Sequence, residues 1–203
     1  SKGQLGSEFK NIALLKPNIN FYFKDKELDI TKKSQLDNYF FKNDIDFIIN
    51  TAAYTDVNNA EIEKEKADLV NEIGTKNIVE LSEKYNCKLI HYSTDYVYDG
   101  KNKIPITENN PVNPLNHYGI SKRNGEIFIE KSSCESVIIR TSWLYSTYGN
   151  NFVKTILEKI YRREKIFVVN DQFGCPTNAK DLAFDTLKII DSGIKLDNHG
   201  KIY

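Results

Sequence analysis

A doubly wound α/β fold built on a parallel sheet is predicted by this 203-residue sequence, on three observations. Short apolar runs such as Phe47–Asn50, Lys88–Ser93 and Ser136–Thr141 end in turn-forming or small residues, as strands covered on both faces do. Longer stretches of helical period separate them, which favours parallel strands joined by right-handed crossovers. Glycines, small residues and hydroxyls follow the runs directly, at the carboxyl edge where open α/β sheets bind ligands. These patterns make the expected fold one of Rossmann type.

Taken in order, Gln4 to Leu15 reads as a helix entered through Gly3 and Gly6. A G-x-x-G entry suits either an ordinary loop or a turn that presents N–H groups to a pyrophosphate. Pro17 and Asn18 punctuate, and Ile19 to Phe23 alternates like a short strand. Thr31 is a candidate N-cap for a helix from Lys32 to Asn43, with Leu36, Tyr39 and Phe40 on its apolar side. The strand Phe47–Asn50 runs into Thr51-Ala52-Ala53-Tyr54-Thr55-Asp56, either a compact loop or a place where a ligand approaches the backbone. Ala60 to Tyr85 is helical, with a break or bend near Gly74.

The strand that starts at Lys88 delivers Thr94, Asp95 and Asp99-Gly100 at its end, as chemistry or as a turn. A proline-rich loop, Lys101 to Asn116, precedes a helix carrying Tyr118 and Lys122. Four-residue spacing puts both on one helix face, where an ammonium beside the phenol favours ionisation and makes Tyr118 a usable proton donor. The pair also reads as a half-buried Tyr and a solvated Lys. Ser136–Thr141 is a strand leading to Trp143, which composition alone assigns to the core. A helix from Gly149-Asn150-Asn151-Phe152 to Arg163, a strand Ile166 to Val169, a loop Asp171 to Thr177, a helix Asp181 to Ile190 and a strand-like Lys201-Ile202-Tyr203 complete the chain.

Composition narrows the function. With 28 basic and 28 acidic residues, no partner held mainly by phosphate neutralisation is expected, and no nucleic acid. Three cysteines at unrelated spacings suggest neither a disulfide framework nor a zinc site, and a reduced, cytoplasmic setting. No apolar run approaches the roughly 18 residues of a membrane span. The chain opens on glycines and has no Met, so both ends read as cut, with the first strand and first glycine of the turn expected outside it.

In combination and order, Gly3-Gln4-Leu5-Gly6, Leu28-Asp29-Ile30, Ala52 to Val57, Ser93 to Gly100, Tyr118-Gly119-Ile120-Ser121-Lys122, Arg140 to Tyr145 and Asp171 to Thr177 are informative. Over nearly the whole chain they resemble the dTDP-4-dehydrorhamnose reductases among the extended short-chain dehydrogenase/reductases. The resemblance implies that NADPH or NADH delivers hydride to C4 of a nucleotide sugar, dTDP-4-dehydro-L-rhamnose. It implies that Tyr118, Lys122 and Thr94 are catalytic, with Lys122 lowering the pKa of Tyr118. Gly3, Gln4, Leu5, Asp29, Ile30, Ala53, Tyr54 and Thr55 join Tyr118 and Lys122 at the cofactor, and Thr94, Asp95 and Trp143 at the sugar nucleotide. Residues 1–145 are then the NAD(P)-binding domain and 146–203 part of a substrate-binding region interleaved with the last strands. A homodimer is implied; the residues themselves demand no metal, although some relatives take Mg2+. The alternatives are another nucleotide-sugar reductase or epimerase of the superfamily, and a non-catalytic regulatory subunit of a methionine adenosyltransferase.

Overall fold

The computed structural model describes residues 2–101, 104–192 and 200–203. In chain order the elements are α1 (Gln4–Ala13), α2 (Lys33–Lys42), β1 (Phe47–Asn50), α3 (Val57–Ala60), α4 (Lys64–Asp68), a π-helical turn (Leu69–Gly74), α5 (Thr75–Tyr85) and β2 (Lys88–Thr94). A 3-10 turn (Asp95–Val97), α6 (His117–Glu130), β3 (Ser136–Thr141), β4 (Leu144–Tyr145), α7 (Phe152–Tyr161), β5 (Thr177–Asn178), α8 (Ala179–Asp191) and β6 (Lys201–Ile202) follow. They form two units, one of Asp25–Arg140 with Lys195–Tyr203 and one of Ser1–Lys24 with Thr141–Ile194.

The larger unit holds a four-stranded sheet in the order β1-β2-β3-β6. β1 and β2 run parallel with Asn50 opposite His91, and β3 runs parallel to β6 with Ile138 opposite Ile202. Leu36 and Phe40 of α2, Ile78, Val79 and Leu81 of α5, Leu89 of β2, Ile129 of α6 and Ile138 of β3 make its core. These are the helical and strand periods of the sequence turned inward. β1 ends the strand order and is only half-buried along Phe47, Ile48 and Ile49, less than its continuous apolar run predicts.

In the smaller unit α1 packs on α8. Leu5, Phe9 and Ile12, at helical spacing, are buried, as are Ala183 and Leu187. A two-stranded parallel ladder pairs Leu144 with Thr177 and Tyr145 with Asn178. Asn151 caps α7 by accepting from Lys154 N at 3.0 Å.

Three local expectations are corrected. Ile19 to Phe23 has no regular secondary structure, its Phe21 and Phe23 rings stacked 5.6 Å apart, and Ile166 to Val169 has none, with Phe167 exposed. Neither forms a ladder among the described residues, and an apolar pattern becomes a strand only where a neighbouring backbone completes its hydrogen bonds. Thr31 does not cap α2. Lys32 holds that position without a side-chain bond, while Asp29 Oδ1 accepts from Thr31 N at 2.9 Å and spends the turn there.

The contact that positions the site is between α6 and the end of β2. Asn116 caps α6, its Oδ1 accepting from Gly119 N at 2.7 Å, which sets Tyr118 in the first turn. A Cβ at Gly119 would lie 2.2 Å from Tyr96 O and 3.0 Å from Pro114 Cβ. Gly119→Ala should therefore push the helix off the Thr94-Asp95-Tyr96 segment and cost about 1–3 kcal/mol, read as a lower urea midpoint.

Candidate active site

Thr94 is the last residue of β2, and the chain turns sharply after it. Its Oγ1 accepts from Tyr96 N at 3.2 Å and donates to Asp95 Oδ1 at 3.2 Å, so the hydroxyl is held by the turn it caps. Tyr118 reaches this corner from α6. Its ring meets Tyr96 edge-on, 5.7 Å between centroids, and packs with Ala60 and Ala67. Burial pushes the Tyr118 phenol up to about 12, with the Thr94 hydroxyl acting in the other direction. Burial also raises the Asp95 carboxyl, opposed by its bond from Thr94.

Lys122 lies one turn on and is only 2% exposed. Its Nζ donates to Tyr92 O at 2.7 Å and stands 3.3 Å from His91 Nε2. Among the described residues no hydrogen bond joins it to Tyr118, which corrects the expectation that this lysine lowers the phenol pKa. The shared helix face is real, but desolvation outweighs proximity: burial drives Lys122 down to about 8 and drives Tyr118 up. A consequence follows for stability. Between about pH 8 and 10.5 the unfolded chain holds a proton on this lysine that the folded chain has released, so stability rises with pH across that window. Urea midpoints at about pH 8 and about pH 10 should rise for the parent relative to Lys122→Met.

The loop after β1 is tied to α6 by one residue. Asn71, in the π-helical turn, accepts from Tyr54 N at 2.8 Å, and its Nδ2 donates to Tyr54 O and to Ser121 Oγ, each at 3.0 Å. A Cβ on Gly125 would stand 2.5 Å from Asn71 O, so α6 meets the turn backbone to backbone. Ala53 and Tyr54 are half-buried and Thr55 exposed. The Tyr54 phenol is occupied by Glu63, at 2.6 Å, whose hydrogen bond raises its pKa to about 12. Asp29 and Ile30 are in the same unit, in a turn fixed by Asn77 Nδ2 donating to Ile30 O at 2.9 Å.

The larger unit thus brings together Thr94, Asp95, Tyr118 and Lys122, with Asp29, Ile30, Ala53, Tyr54 and Thr55 in its loops. Gly3, Gln4, Leu5 and Trp143 belong to the smaller unit. There Gly3 opens α1 with no side-chain cap and nothing within 4 Å of where a Cβ would stand. That leaves first-turn N–H groups free for an anion, the fit a dinucleotide pyrophosphate requires. The Gln4 side chain is committed elsewhere, donating to Leu144 O at 3.3 Å and accepting from Asn151 at 3.0 Å, and Leu5 is buried. For these two, only the backbone is available to a cofactor. Trp143 is 44% exposed with φ of 46°, against the core reading, and Gly174 lies so close that its Cβ would be 2.7 Å from the indole.

Asn50, Asn71, His91, Ser121, Glu126 and Arg140 were not singled out as site residues by sequence reasoning. The signal available was a polar residue inside an apolar run: Asn50 and His91 interrupt β1 and β2, where a buried polar group must find a partner. Among the described residues no three His, Cys, Asp or Glu side chains gather as metal ligands, and no helix is long and apolar enough to cross a membrane.

Comparisons with known proteins bear on the family and the fold. The family model described as the RmlD substrate binding domain matches residues 1–203. The spore coat polysaccharide biosynthesis protein SpsK of Bacillus subtilis is 37% identical over 92% of this chain and 66% of its own length. The dTDP-4-dehydrorhamnose reductase of Escherichia coli K12 is 44% identical over 68% of this chain and 46% of its own. The crystal structure of the dTDP-4-dehydrorhamnose reductase of Bacillus anthracis in complex with NADP superimposes with a TM-score of 0.92 and 38% identity, covering 100% of this chain and 70% of that one. The chain spans about half to two thirds of the length of these curated relatives.

Proposed function

This chain belongs to the RmlD substrate binding domain family, and from that premise we propose that it serves the NAD(P)H-dependent reduction of dTDP-4-dehydro-L-rhamnose to dTDP-L-rhamnose. The observation that carries the reading is the corner itself: the Tyr118 phenol beside the Thr94 hydroxyl at a strand end, with the Lys122 amine one helical turn away. When bound, a nicotinamide cofactor would supply the hydride for the C4 carbonyl carbon. Tyr118 gives its phenolic proton to the carbonyl oxygen as negative charge develops there. Thr94 releases Asp95 and donates to the same oxygen, the kind of directed hydrogen bond that matters most in a water-poor site. Lys122 binds the ribose of the cofactor.

Asp95 and Trp143 hold the sugar nucleotide. The N–H groups that follow Gly3 receive the pyrophosphate, Asp29 and Ile30 the adenosine end, and Ala53 to Thr55 flank the cofactor. Residues 1–145 carry the cofactor and 146–203 contribute to the substrate side, in a cytoplasmic homodimer. The test is NAD(P)H oxidation with dTDP-4-dehydro-L-rhamnose generated in the assay by the upstream enzymes. Oxidation dependent on the complete sugar nucleotide, with dTDP-L-rhamnose as product, supports the reading. Cofactor binding without turnover overturns it in favour of a regulatory role, and turnover of a different nucleotide sugar alone overturns the substrate.

A further inference from the structure

Trp143 is the single tryptophan of the chain, and its backbone stands at φ 46°, in the left-handed region where a bulky side chain is an outlier. Such a conformation persists only where the surroundings over-determine it. Here the surroundings are a short strap, residues 174–177, in the same unit of the molecule. Thr177 N donates to Trp143 O at 3.3 Å, and the next residue, Leu144, pairs with Thr177 in the β4–β5 ladder. Ser142 Oγ donates to Cys175 O at 2.6 Å, which ties the residue before the tryptophan to the residue after Gly174. The tryptophan is thus held to the strap on both sides.

The strap also carries the ring. A Cβ built on Gly174 would stand 2.7 Å from Cε2 of the indole, 2.9 Å from Cζ2 and 3.1 Å from Nε1. Cε2 lies between the other two in the ring, and it is the nearest. An approach in the ring plane would meet its neighbours first, so Gly174 faces the flat side of the indole. A side chain at position 174 would claim space that the ring already fills. One face of the indole is therefore closed by bare peptide, while Trp143 as a whole stays 44% exposed.

Backbone strain and an exposed large ring both count against folding, and neither is needed to close a core. Together they describe a ring held out for something else. We propose that Gly174 is the positioning residue for Trp143, its missing side chain letting the indole lie flat on the strap so that the ring forms a rigid wall for the sugar nucleotide. A fixed aromatic surface suits the C–H face of a hexose, which buries apolar area without needing a hydrogen bond from the wall. The inference rests on the reading of Trp143 as a sugar-nucleotide contact, but its fluorescence test needs no ligand.

Gly174→Ala displaces the ring and leaves every hydrogen bond named above in place. Because the chain has one tryptophan, intrinsic fluorescence reports that ring alone. In Gly174→Ala the emission should move to the red and acrylamide should quench it more strongly than in the parent. Ser142→Ala, which frees the strap, should shift both in the same direction. Affinity for dTDP-L-rhamnose, measured by calorimetry, should fall roughly tenfold in Gly174→Ala while NAD(P)H affinity stays as it is. A residue that acts through the indole has no effect once the indole is gone, so Gly174→Ala should add no further loss in a Trp143→Ala background. Unchanged fluorescence in Gly174→Ala, unchanged affinity for dTDP-L-rhamnose, or equal losses with and without Trp143 overturns the proposal. A displaced ring in Gly174→Ala, with a parent that binds no dTDP-L-rhamnose, upholds Gly174 as the support of the indole and overturns the nucleotide-sugar reading instead.

Discussion

Replacing Tyr118 by Phe should lower turnover by about 10²–10⁴-fold, the range that a positioned proton donor contributes. The substitution keeps the ring that packs with Ala60, Ala67 and Tyr96 and removes one hydroxyl, so the fold and cofactor affinity should stay as they are. It removes the phenol whose pKa the Thr94 hydroxyl acts to lower. Rate and cofactor affinity are to be measured separately, by single-turnover oxidation of NAD(P)H and by fluorescence titration of the reduced cofactor. A rate within a factor of about three of the parent would remove Tyr118 from the chemistry, since such a change is smaller than one kcal/mol of barrier.

The largest stability effect is expected at Glu126, a carboxylate with no exposed surface in the middle of α6. Arg140 grips it twice, Nε to Oε1 at 2.9 Å and Nη2 to Oε2 at 2.7 Å, and Arg123 adds a bond at 2.8 Å. Arg140 also donates to the Tyr98 hydroxyl at 2.7 Å with its guanidinium over that ring, and Arg123 is paired with Glu130. Glu126→Ala leaves the Arg140 guanidinium buried without its counter-charge, which should cost about 3–5 kcal/mol. That is a large share of the roughly 5–15 kcal/mol by which a domain is folded, and urea midpoints will show it.

The acid behaviour follows from the same pair. Burial alone would raise the Glu126 carboxyl, but the bonds and charge of Arg140 outweigh it and the group ends below its ordinary 4.5. Its contribution is complete above the unfolded value and is lost as pH falls through the folded one. Glu126→Gln should therefore show a shallower loss of stability below about pH 4.5 than the parent.

Much of this was legible in the sequence because it depends on local chemistry. Apolar runs located β1, β2 and β3, the period of α5 placed Ile78, Val79 and Leu81 in the core, and Asn116 and Asn151 stood where helices begin. Tyr118 and Lys122 were found by spacing, yet spacing could not say where the amine points; that is decided by Tyr92 O and His91, some thirty residues away in sequence. The exposure of Trp143 and the loss of a strand at Ile166 to Val169 were hidden for the same reason. Both depend on which backbone lies alongside, and no local pattern encodes it.

The π-helical turn Leu69–Gly74 has one more effect, on how the chain is counted. A π-turn holds a residue that an α-helical path would not, and one residue of α-helix is about 100° of rotation. The turn therefore shifts the phase between α4 and α5, and no single helical wheel drawn across Ala60 to Tyr85 keeps the apolar positions of both on one side. That surplus residue is what lets Asn71 address the Tyr54 backbone and Ser121 while Ile78 and Leu81 still face the sheet. A one-residue deletion anywhere in the turn would leave the helix intact and misdirect one of its two faces.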